Sequence, residues 1–188
     1  KEPEQSMIIF DLDGTLADCR HRRHFVDPTT SVNNILQGYD GSGNLIEESG
    51  VYRNIVDGKR FKPDWKSFYE ACDKDKIIKP VVSLFIQYCH RDIEIWSGRS
   101  ESVRKKTEVW VENNILDSAL SNFKKIVLKM RPIGDSTPDD ELKERWLNEA
   151  LAQGKKIDFV VDDRAKVVRM WRRRGIFVFD VNQSGKEF

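Results

Sequence analysis

The fold class of this chain follows from residues 7–18, which read MIIFDLDGTLAD. The first four residues are apolar, and a short apolar run of this kind is typical of a buried strand in a parallel sheet. Asp11 and Asp13 come next, at the carboxyl end of the predicted strand, where open α/β sheets bind their ligands. Because alternate residues of an extended segment point to the same side, the two carboxylates should converge on one point.

Converging carboxylates repel each other unless they share a cation or a proton. The pair Asp11 and Asp13 therefore predicts a hard divalent metal, with Mg²⁺ as the first choice. Gly14 allows a tight bend beside that metal, and the Thr15 hydroxyl is suited to bonding a phosphate oxygen or capping the next helix. A calcium loop is the alternative, but an EF-hand needs Glu at its twelfth position, which here is Arg22.

Strand and helix patterns alternate along most of the chain. Apolar runs predict strands at residues 7–10, 93–96, 125–129, 157–161 and 176–179. Helices are predicted at residues 79–89, 101–113, 138–153 and 164–174. Gly154 and Gly175 stand just past two of these helices, as helix stops do. The alternation predicts an α/β fold with a Rossmann-like, doubly wound parallel sheet.

The remaining chemistry-bearing residues stand at predicted strand ends or near a helix start. They are Ser97, Gly98, Arg99, Asp139, Lys143, Asp162 and Asp163. In order along the chain, DLDGT, the Ser after a strand, the helical Lys and the acidic pair resemble the four motifs of the haloacid dehalogenase superfamily. That resemblance implies a Rossmann-like sheet with the first strand at its centre and a small cap inserted between the first and second motifs.

Three longer stretches, LKMRPIGDSTPDDELK, VVDDRAKVVRMWRRRG and WSGRSE, resemble the phosphatase domain of phage polynucleotide kinase-phosphatases and its small stand-alone phage and bacterial relatives. The resemblance covers residues 7 to about 180. It implies substrate-binding roles for Arg22, eleven positions after Asp11, and for Arg99. Asp139 is expected to orient Lys143 or Arg99.

The chemistry expected of this set is hydrolysis of a phosphate monoester through an aspartyl-phosphate. Asp11 is expected to attack phosphorus, while Asp13 protonates the leaving oxygen and then activates water. Ser97 and Lys143 are expected to hold phosphate oxygens. Thr15 and Gly98 are further substrate contacts.

The expected Mg²⁺ site contains Asp11, Asp13 through its backbone carbonyl, and the acidic pair of the fourth motif. Within that pair, Asp163 is expected to bind the metal directly, with Asp162 as its close partner. No role in this chemistry requires an imidazole.

Charge is balanced, since 34% of the 188 residues are charged and the formal net charge is +1. A protein that covers nucleic acid through a generally basic surface is therefore excluded, and any contact with a nucleic acid must be local. Two basic clusters occur, at residues 20–24 and 169–174. The first lies just after the aspartate motif and favours phosphate contact, whereas the second is expected to be an exposed helix surface.

Residues 1–6 are interpreted as a tag remnant or a linker, and residues 7–188 as one phosphatase domain. A cap or ordered loop is predicted at about residues 26–62, which contain two turn signals, and a flexible surface loop is the alternative. The aromatics Trp65, Phe68 and Tyr69 follow it and are expected to be core residues rather than base-stacking ones.

Three cysteines without CxxC spacing argue against a disulfide framework or a zinc site. No apolar stretch is long enough to cross a membrane and no signal peptide is visible, so a cytoplasmic location is expected. No phosphate-binding loop of the G-x-x-x-x-G-K-[ST] type occurs, so the chain itself is not expected to be a kinase.

The preferred function is removal of 3′-phosphates from nucleic-acid ends, and the 3′ preference rests on the resemblance alone. One alternative is a mononucleotide phosphatase of nucleotide salvage, which a closing cap would favour. Another is a nucleic-acid-end binding module that has lost catalysis, against which the intact pair of aspartates argues. A kinase or ligase partner, separate or fused, is implied by the same resemblance.

Overall fold

The computed structural model describes residues 6–27, 55–56, 59–60, 62–116 and 126–183. The chain divides into two compact units. The first, called here the sheet unit, combines Lys1–Asp18 with Asp75–Phe188, and the second unit is Cys19–Lys74. Most of the predicted cap, namely residues 28–54, 57–58 and 61, lies outside the described residues.

The strands are β1 (Ser6–Phe10), β2 (Ala17–Asp18), β3 (Ile55–Val56), β4 (Lys59–Arg60), β5 (Lys76–Ile77), β6 (Asp92–Ser100), β7 (Val127–Arg131), β8 (Lys156–Asp162) and β9 (Val178–Asp180). The α-helices are α1 (Trp65–Glu70), α2 (Lys79–Gln87), α3 (Arg104–Val111), α4 (Asp139–Ala152) and α5 (Ala165–Arg173). Within the described ranges, 3₁₀ segments occur at Arg20–Phe25, Ala71–Lys74 and Glu101–Val103, and a π-helical turn spans Glu112–Leu116.

A five-stranded parallel sheet forms the centre of the sheet unit, with strand order β7-β6-β1-β8-β9. β1 is the middle strand and pairs with β6 on one side and β8 on the other. The predicted α/β class, the parallel sheet and the central position of the first strand are therefore confirmed. Each predicted strand overlaps an observed one, within about two residues at either end in most cases.

Both faces of β1 are buried, which explains its continuous apolar run. Ile8 and Phe10 pack in a cluster with residues of α2 and α3 such as Phe85, while Met7 and Ile9 pack with residues of α4 and α5. Successive side chains of a strand point to opposite faces, so the two clusters lie on the two sides of the sheet. Burying each such side chain stabilises the folded state by about 1.5–3 kcal/mol relative to leaving it exposed.

Helix ends follow the sequence signals in part. α4 begins after Pro138 and carries three acidic residues in its first turn, where they interact favourably with the helix dipole. Gly154 and Gly175 follow α4 and α5 with positive φ, as predicted. The helix predicted at residues 101–113 is instead a 3₁₀ turn, an α-helix and a π turn in succession. The Ser100 side chain accepts the Ser102 amide and caps the 3₁₀ turn.

In the second unit, the 3₁₀ segment Arg20–Phe25 and helix α1 are joined by backbone contact, because the Asp64 amide donates to the Phe25 carbonyl at 2.8 Å. β3 and β4 form an antiparallel pair. Phe68 is buried as expected, but Trp65 is 51% exposed, so its assignment to the core was wrong. Trp65 is the first residue of a six-residue helix whose buried residue is Phe68.

Candidate active site

The carboxyl end of β1 brings three of the four motifs together. The Asp11 amide donates to the Val161 carbonyl of β8 at 2.9 Å, which fixes Asp11 beside the end of that strand. Lys143, the fifth residue of α4, donates from Nζ to Asp11 Oδ1 at 2.7 Å and to Asp162 Oδ2 at 2.8 Å. The ammonium is therefore shared between the predicted nucleophile and the fourth motif.

The cluster contains more negative charge than this lysine can balance. Burial, reinforced by repulsion from the neighbouring carboxylates Asp162 and Asp163, raises the pKa of Asp11 well above its ordinary value, although Lys143 opposes the shift. Burial, followed by repulsion from Asp162, raises the pKa of Asp163 to about 6. Burial disfavours the charged form of Lys143, but attraction to Asp11 and Asp162 outweighs it and raises the pKa of the lysine.

The same cluster has the donor set of a hard-cation site. Asp11, Asp162 and Asp163 are buried, and each offers a carboxylate oxygen within 4.8 Å of the others. Oxygen ligands of this kind suit Mg²⁺, and a divalent cation would compensate the charge that Lys143 leaves unbalanced. The residues present therefore fit a divalent metal.

Thr15 links two members of the cluster. Its hydroxyl lies 3.2 Å from Asp11 Oδ2 and 3.1 Å from Asp163 Oδ1. A hydroxyl has one hydrogen, so it can donate to only one ionised carboxylate at a time. Thr15 therefore positions carboxylates within the described residues, and its predicted contact with a phosphate oxygen stays a prediction.

Gly14 makes room for Asp163. Its φ is +81°, and a Cβ built on it would lie 2.1 Å from Asp163 Oδ2. Positive φ is unfavourable for residues with a side chain, and here the added methyl group would also displace a carboxylate of the cluster. Only glycine fits this position without moving Asp163.

Gly14→Ala is therefore expected to lower the free energy of unfolding by about 3–5 kcal/mol, which combines backbone strain with overpacking. The matched control is Gly134→Ala. Gly134 also has positive φ, at +79°, but no atom of the described residues lies within 4 Å of its Cβ position, so Gly134→Ala should lose only about 1–2 kcal/mol. Urea unfolding of both variants checks this expectation, and equal losses would show that the close approach to Asp163 is unimportant.

Asp13 is held by Arg99. Nε and Nη2 of Arg99 donate to Asp13 Oδ1 at 3.0 and 2.6 Å. The same guanidinium donates to Asp75 Oδ2 at 2.7 Å and to Thr107 Oγ1 at 3.2 Å. Arg99 is buried, so these contacts fix the orientation of the Asp13 carboxyl. The predicted contact of Arg99 with a substrate phosphate stays a prediction.

Asp75 was missed by the sequence analysis. Its side chain is fully buried and forms an ion pair with Arg99. The residue lies in a run of alternating charges, CDKDKI, which has the pattern of an exposed surface. No signal in the sequence separates this aspartate from its neighbour Asp73, which is exposed.

Asp75→Asn is expected to lower the free energy of unfolding by about 1–3 kcal/mol, because it removes a charge-assisted bond from a buried guanidinium. Asp158→Asn is the matched control, since Asp158 also pairs with an arginine, Arg91, at 2.7 Å but has a side chain that is 40% exposed. Exposed ion pairs contribute about 0–1 kcal/mol. Chemical denaturation of the two variants measures both values, and a control loss as large as that of Asp75→Asn would contradict the role of burial.

The sequence analysis expected Asp139 to orient Lys143 or Arg99, but its carboxylate bonds two other residues. It accepts hydrogen bonds from Arg131 through Oδ1 and from Arg164 through Oδ2. Both arginines were missed by the sequence analysis. Arg131 was detectable as a basic residue at the end of a strand, and Arg164 as the residue after the fourth motif. The expected orienting role of Asp139 is thus corrected, because both of its carboxylate oxygens bond these two arginines instead.

Gly98 fits closely against this group. A Cβ on Gly98 would lie 2.8 Å from Asp139 Oδ1, and the Gly98 carbonyl accepts a bond from Arg131 Nε at 2.9 Å. Ser97 is also buried, and its hydroxyl oxygen accepts the Arg99 amide at 3.1 Å. The second motif is therefore tied to the start of α4 through arginine and aspartate.

Arg22 lies in the second unit, within the 3₁₀ segment. Its guanidinium is buried, donates to the Phe68 carbonyl at 3.2 Å and lies 4.3 Å from the centroid of the Phe68 ring. These contacts belong to the second unit itself. The predicted contact of Arg22 with substrate stays a prediction.

A parallel sheet whose middle strand ends in paired aspartates, with a lysine and further aspartates gathered there, defines a phosphatase of the haloacid dehalogenase type. The chain belongs to the family described as the polynucleotide kinase PNKP phosphatase domain, which matches residues 56–185. The matched range begins after the first motif, so the family match does not cover Asp11 and Asp13, and their catalytic roles stay predictions.

One relative is a candidate bifunctional polynucleotide kinase/RNA ligase of Autographa californica nuclear polyhedrosis virus, 31% identical over 140 residues. The alignment covers 71% of this chain and 19% of that protein, so the chain spans about a fifth of its length.

No helix among the described residues combines the length and the hydropathy needed to cross a bilayer.

Two solved structures show the same fold. A chain of the Pnkp1/Rnl/Hen1 RNA repair complex is 20% identical with a TM-score of 0.60, covering 99% of this chain and 45% of its own length. A haloacid dehalogenase-like hydrolase from Streptococcus pneumoniae is 14% identical with a TM-score of 0.52, covering 97% of this chain and 87% of its own length.

Proposed function

We propose that the protein is a Mg²⁺-dependent phosphomonoesterase that forms an aspartyl-phosphate on Asp11. The observation that carries this proposal is the position of Asp11, whose Oδ1 lies 2.7 Å from the Lys143 ammonium in a buried carboxylate cluster. A lysine at this distance lowers the energy of negative charge on an attacking oxygen and on a phosphoryl group beside it.

In the first step, an Asp11 oxygen forms a bond to phosphorus while the bond from phosphorus to the leaving oxygen breaks. Asp13 gives its proton to that leaving oxygen. In the second step, Asp13 takes a proton from water, the water oxygen bonds to phosphorus, and the bond to Asp11 breaks. Arg99 holds the Asp13 carboxyl in place for both transfers.

Lys143 supports both steps without transferring a proton, because its raised pKa keeps the ammonium charged. A Mg²⁺ ion bound by Asp11, Asp163 and the backbone carbonyl of Asp13, with Asp162 close by, would supply further positive charge against the phosphate. The Ser97 hydroxyl completes the phosphate contacts in this proposal.

The proposed substrate is a nucleic-acid end that carries a 3′-phosphate. Membership of the polynucleotide kinase phosphatase family supports a polynucleotide substrate, and the resemblance of residues 128–143 and 160–175 to phage phosphatase domains supports the 3′ preference. Relatives named for RNA ligase and RNA repair support a partner with ligase or kinase activity, separate or on the same polypeptide. Three cysteines without CxxC spacing fit a reducing compartment, and we propose the cytoplasm.

Phosphate release from three matched substrates tests the proposal. They are a 3′-phosphorylated oligonucleotide, its 5′-phosphorylated isomer and a mononucleotide, each assayed with Mg²⁺ and with a chelator. We expect the 3′-phosphorylated strand to be hydrolysed fastest, and chelation to abolish release from every substrate. Preference for the mononucleotide would instead indicate a salvage nucleotidase. An absence of Mg²⁺-dependent release from all three would indicate a binding module without catalysis.

A further inference from the structure

The most concentrated positive charge in the sequence lies at residues 164–174, which read RAKVVRMWRRR. This stretch of helix α5 and its flanks contains six basic residues and no acidic one. The formal net charge of the whole chain is only +1, so the rest of the sequence is acidic on balance. Such a local excess creates a positive potential at one surface.

The basic residues of α5 share one side of the helix. Lys166, Arg169, Arg172 and Arg173 are exposed, whereas Val167, Val168, Met170 and Trp171 are buried against the sheet. Spacings of three and four residues place side chains on the same face of a helix. We name the four exposed residues the basic stripe.

The basic stripe begins next to the candidate active site. Asp163, a member of the carboxylate cluster, is two residues before the first residue of α5. At 1.5 Å of rise per residue, the stripe runs from Lys166 to Arg173 over roughly 10 Å away from that end. A nucleic-acid strand whose terminal phosphate occupies the site could therefore lie along α5.

Neighbouring acidic groups partly anchor the stripe. Two acidic residues of α4, Asp140 and Glu144, lie beside the stripe. Lys166 Nζ is 3.1 Å from Asp140. Arg173 and Arg174 are 3.2 and 3.0 Å from Glu144. The side chain of Arg173 nevertheless remains 60% exposed. Arg169 and Arg172 are both exposed and lie three residues apart on the helix, so both side chains can reach an anion at this surface.

We infer that the basic stripe binds the sugar-phosphate backbone of the strand whose terminal phosphate is hydrolysed. This inference rests on the proposed function and deepens it, because a mononucleotide has no backbone to place there. Arginine is suited to phosphate oxygens through its planar fork of donors. An acidic protein is the other polyanion that could bind here, but the start of α5 at the phosphate site favours the nucleic acid.

The test uses the full chain with Mg²⁺ and the double variant Arg169→Gln/Arg172→Gln. The matched control is Lys155→Gln/Lys156→Gln, which removes two charges at the start of β8, the end of the strand opposite Asp162. Binding of a fluorescently labelled 3′-hydroxyl oligonucleotide, the reaction product, is measured at several salt concentrations. Hydrolysis of a small aryl phosphate is measured in parallel.

We expect the arginine variant to bind the oligonucleotide about tenfold more weakly near 0.1 M salt, with a log–log salt slope reduced by about 1.4, the value for two lost contacts to a single strand. The lysine control should match the wild type in both. Hydrolysis of the aryl phosphate should be unchanged, since that substrate does not extend beyond the phosphate site.

Three results would overturn the inference, and they are distinguishable. If the wild type hydrolyses the 3′-phosphorylated strand while the arginine variant keeps its affinity and salt slope, the stripe is a solvated surface or a protein contact, and the proposed function stands. If the wild type neither binds nor hydrolyses the strand but hydrolyses a mononucleotide, both proposals are wrong. Equal loss on aryl phosphate and oligonucleotide would also reject strand binding, because it would show damage to the site.

Discussion

Asp11→Asn is expected to reduce hydrolysis of every phosphate monoester by about 10⁴-fold or more, the scale seen when a catalytic nucleophile is removed. The amide cannot form the acyl phosphate, and no neighbouring group can replace it, because Asp162 and Asp163 come from a different strand end and bond Lys143 and Thr15. Initial rates of phosphate release from an aryl phosphate measure the loss.

The free energy of unfolding of the same variant should be no lower than that of the wild type. Burial raises the pKa of Asp11, which means that the ionised carboxylate is less favourable in the folded state than in the unfolded chain near neutral pH. Asn removes that charge with little change of shape, and Lys143 keeps its bond to Asp162. Asp158→Asn serves as the control for activity. Retention of a tenth of the wild-type rate by Asp11→Asn would exclude Asp11 as nucleophile.

Lys143→Met has the second largest expected effect, because it leaves two carboxylates without their cation. Asp11 and Asp162 both bond the ammonium and both are buried. Removing one partner of a buried ion pair typically lowers stability by about 3–5 kcal/mol, and losing one preorganised charge at the phosphate lowers kcat by about 10²–10³-fold. Urea unfolding without metal and steady-state kinetics with Mg²⁺ measure the two losses.

The matched control is Lys156→Met, which removes an exposed lysine at the start of β8. It should change stability by less than about 0.5 kcal/mol. A double variant, Lys143→Met/Asp11→Asn, should recover part of the lost stability, because one of the two uncompensated charges is gone. Strictly additive losses would contradict the assignment of the effect to unpaired charge.

The sequence was sufficient to predict the sheet and the grouping of Asp11, Asp162 and Asp163, because each rests on a local pattern. The apolar run at residues 7–10 predicts a strand that is buried on both faces, and β1 is the middle strand. A residue at the end of a parallel strand is placed by that strand alone. Asp11, Ser97 and the pair at 162–163 could therefore be assigned to one edge before any contact was known.

Side-chain contacts between residues far apart in the sequence were harder to predict, because they depend on packing rather than on periodicity. Asp75 lies among lysines and looks like a surface residue, yet it pairs with Arg99 in the interior. Asp139 is four residues from Lys143, but its carboxylate meets Arg131 and Arg164 instead. Trp65 was expected to be buried because of its size, although a first helical turn exposes it.

The central position of β1 also limits how the backbone of Asp11, the proposed nucleophile, can move. β1 is hydrogen-bonded to a strand on each side, and the Asp11 amide continues the ladder to Val161. Local openings start at edges and loops, whereas the middle of a sheet opens only when the whole unit unfolds. Amide hydrogen exchange at Ile9, Phe10 and Asp11 should therefore be as slow as anywhere in the protein, and its free energy should equal that of global unfolding. The backbone of the proposed nucleophile should thus stay in place during turnover, and any motions that admit substrate and release product should belong to other segments.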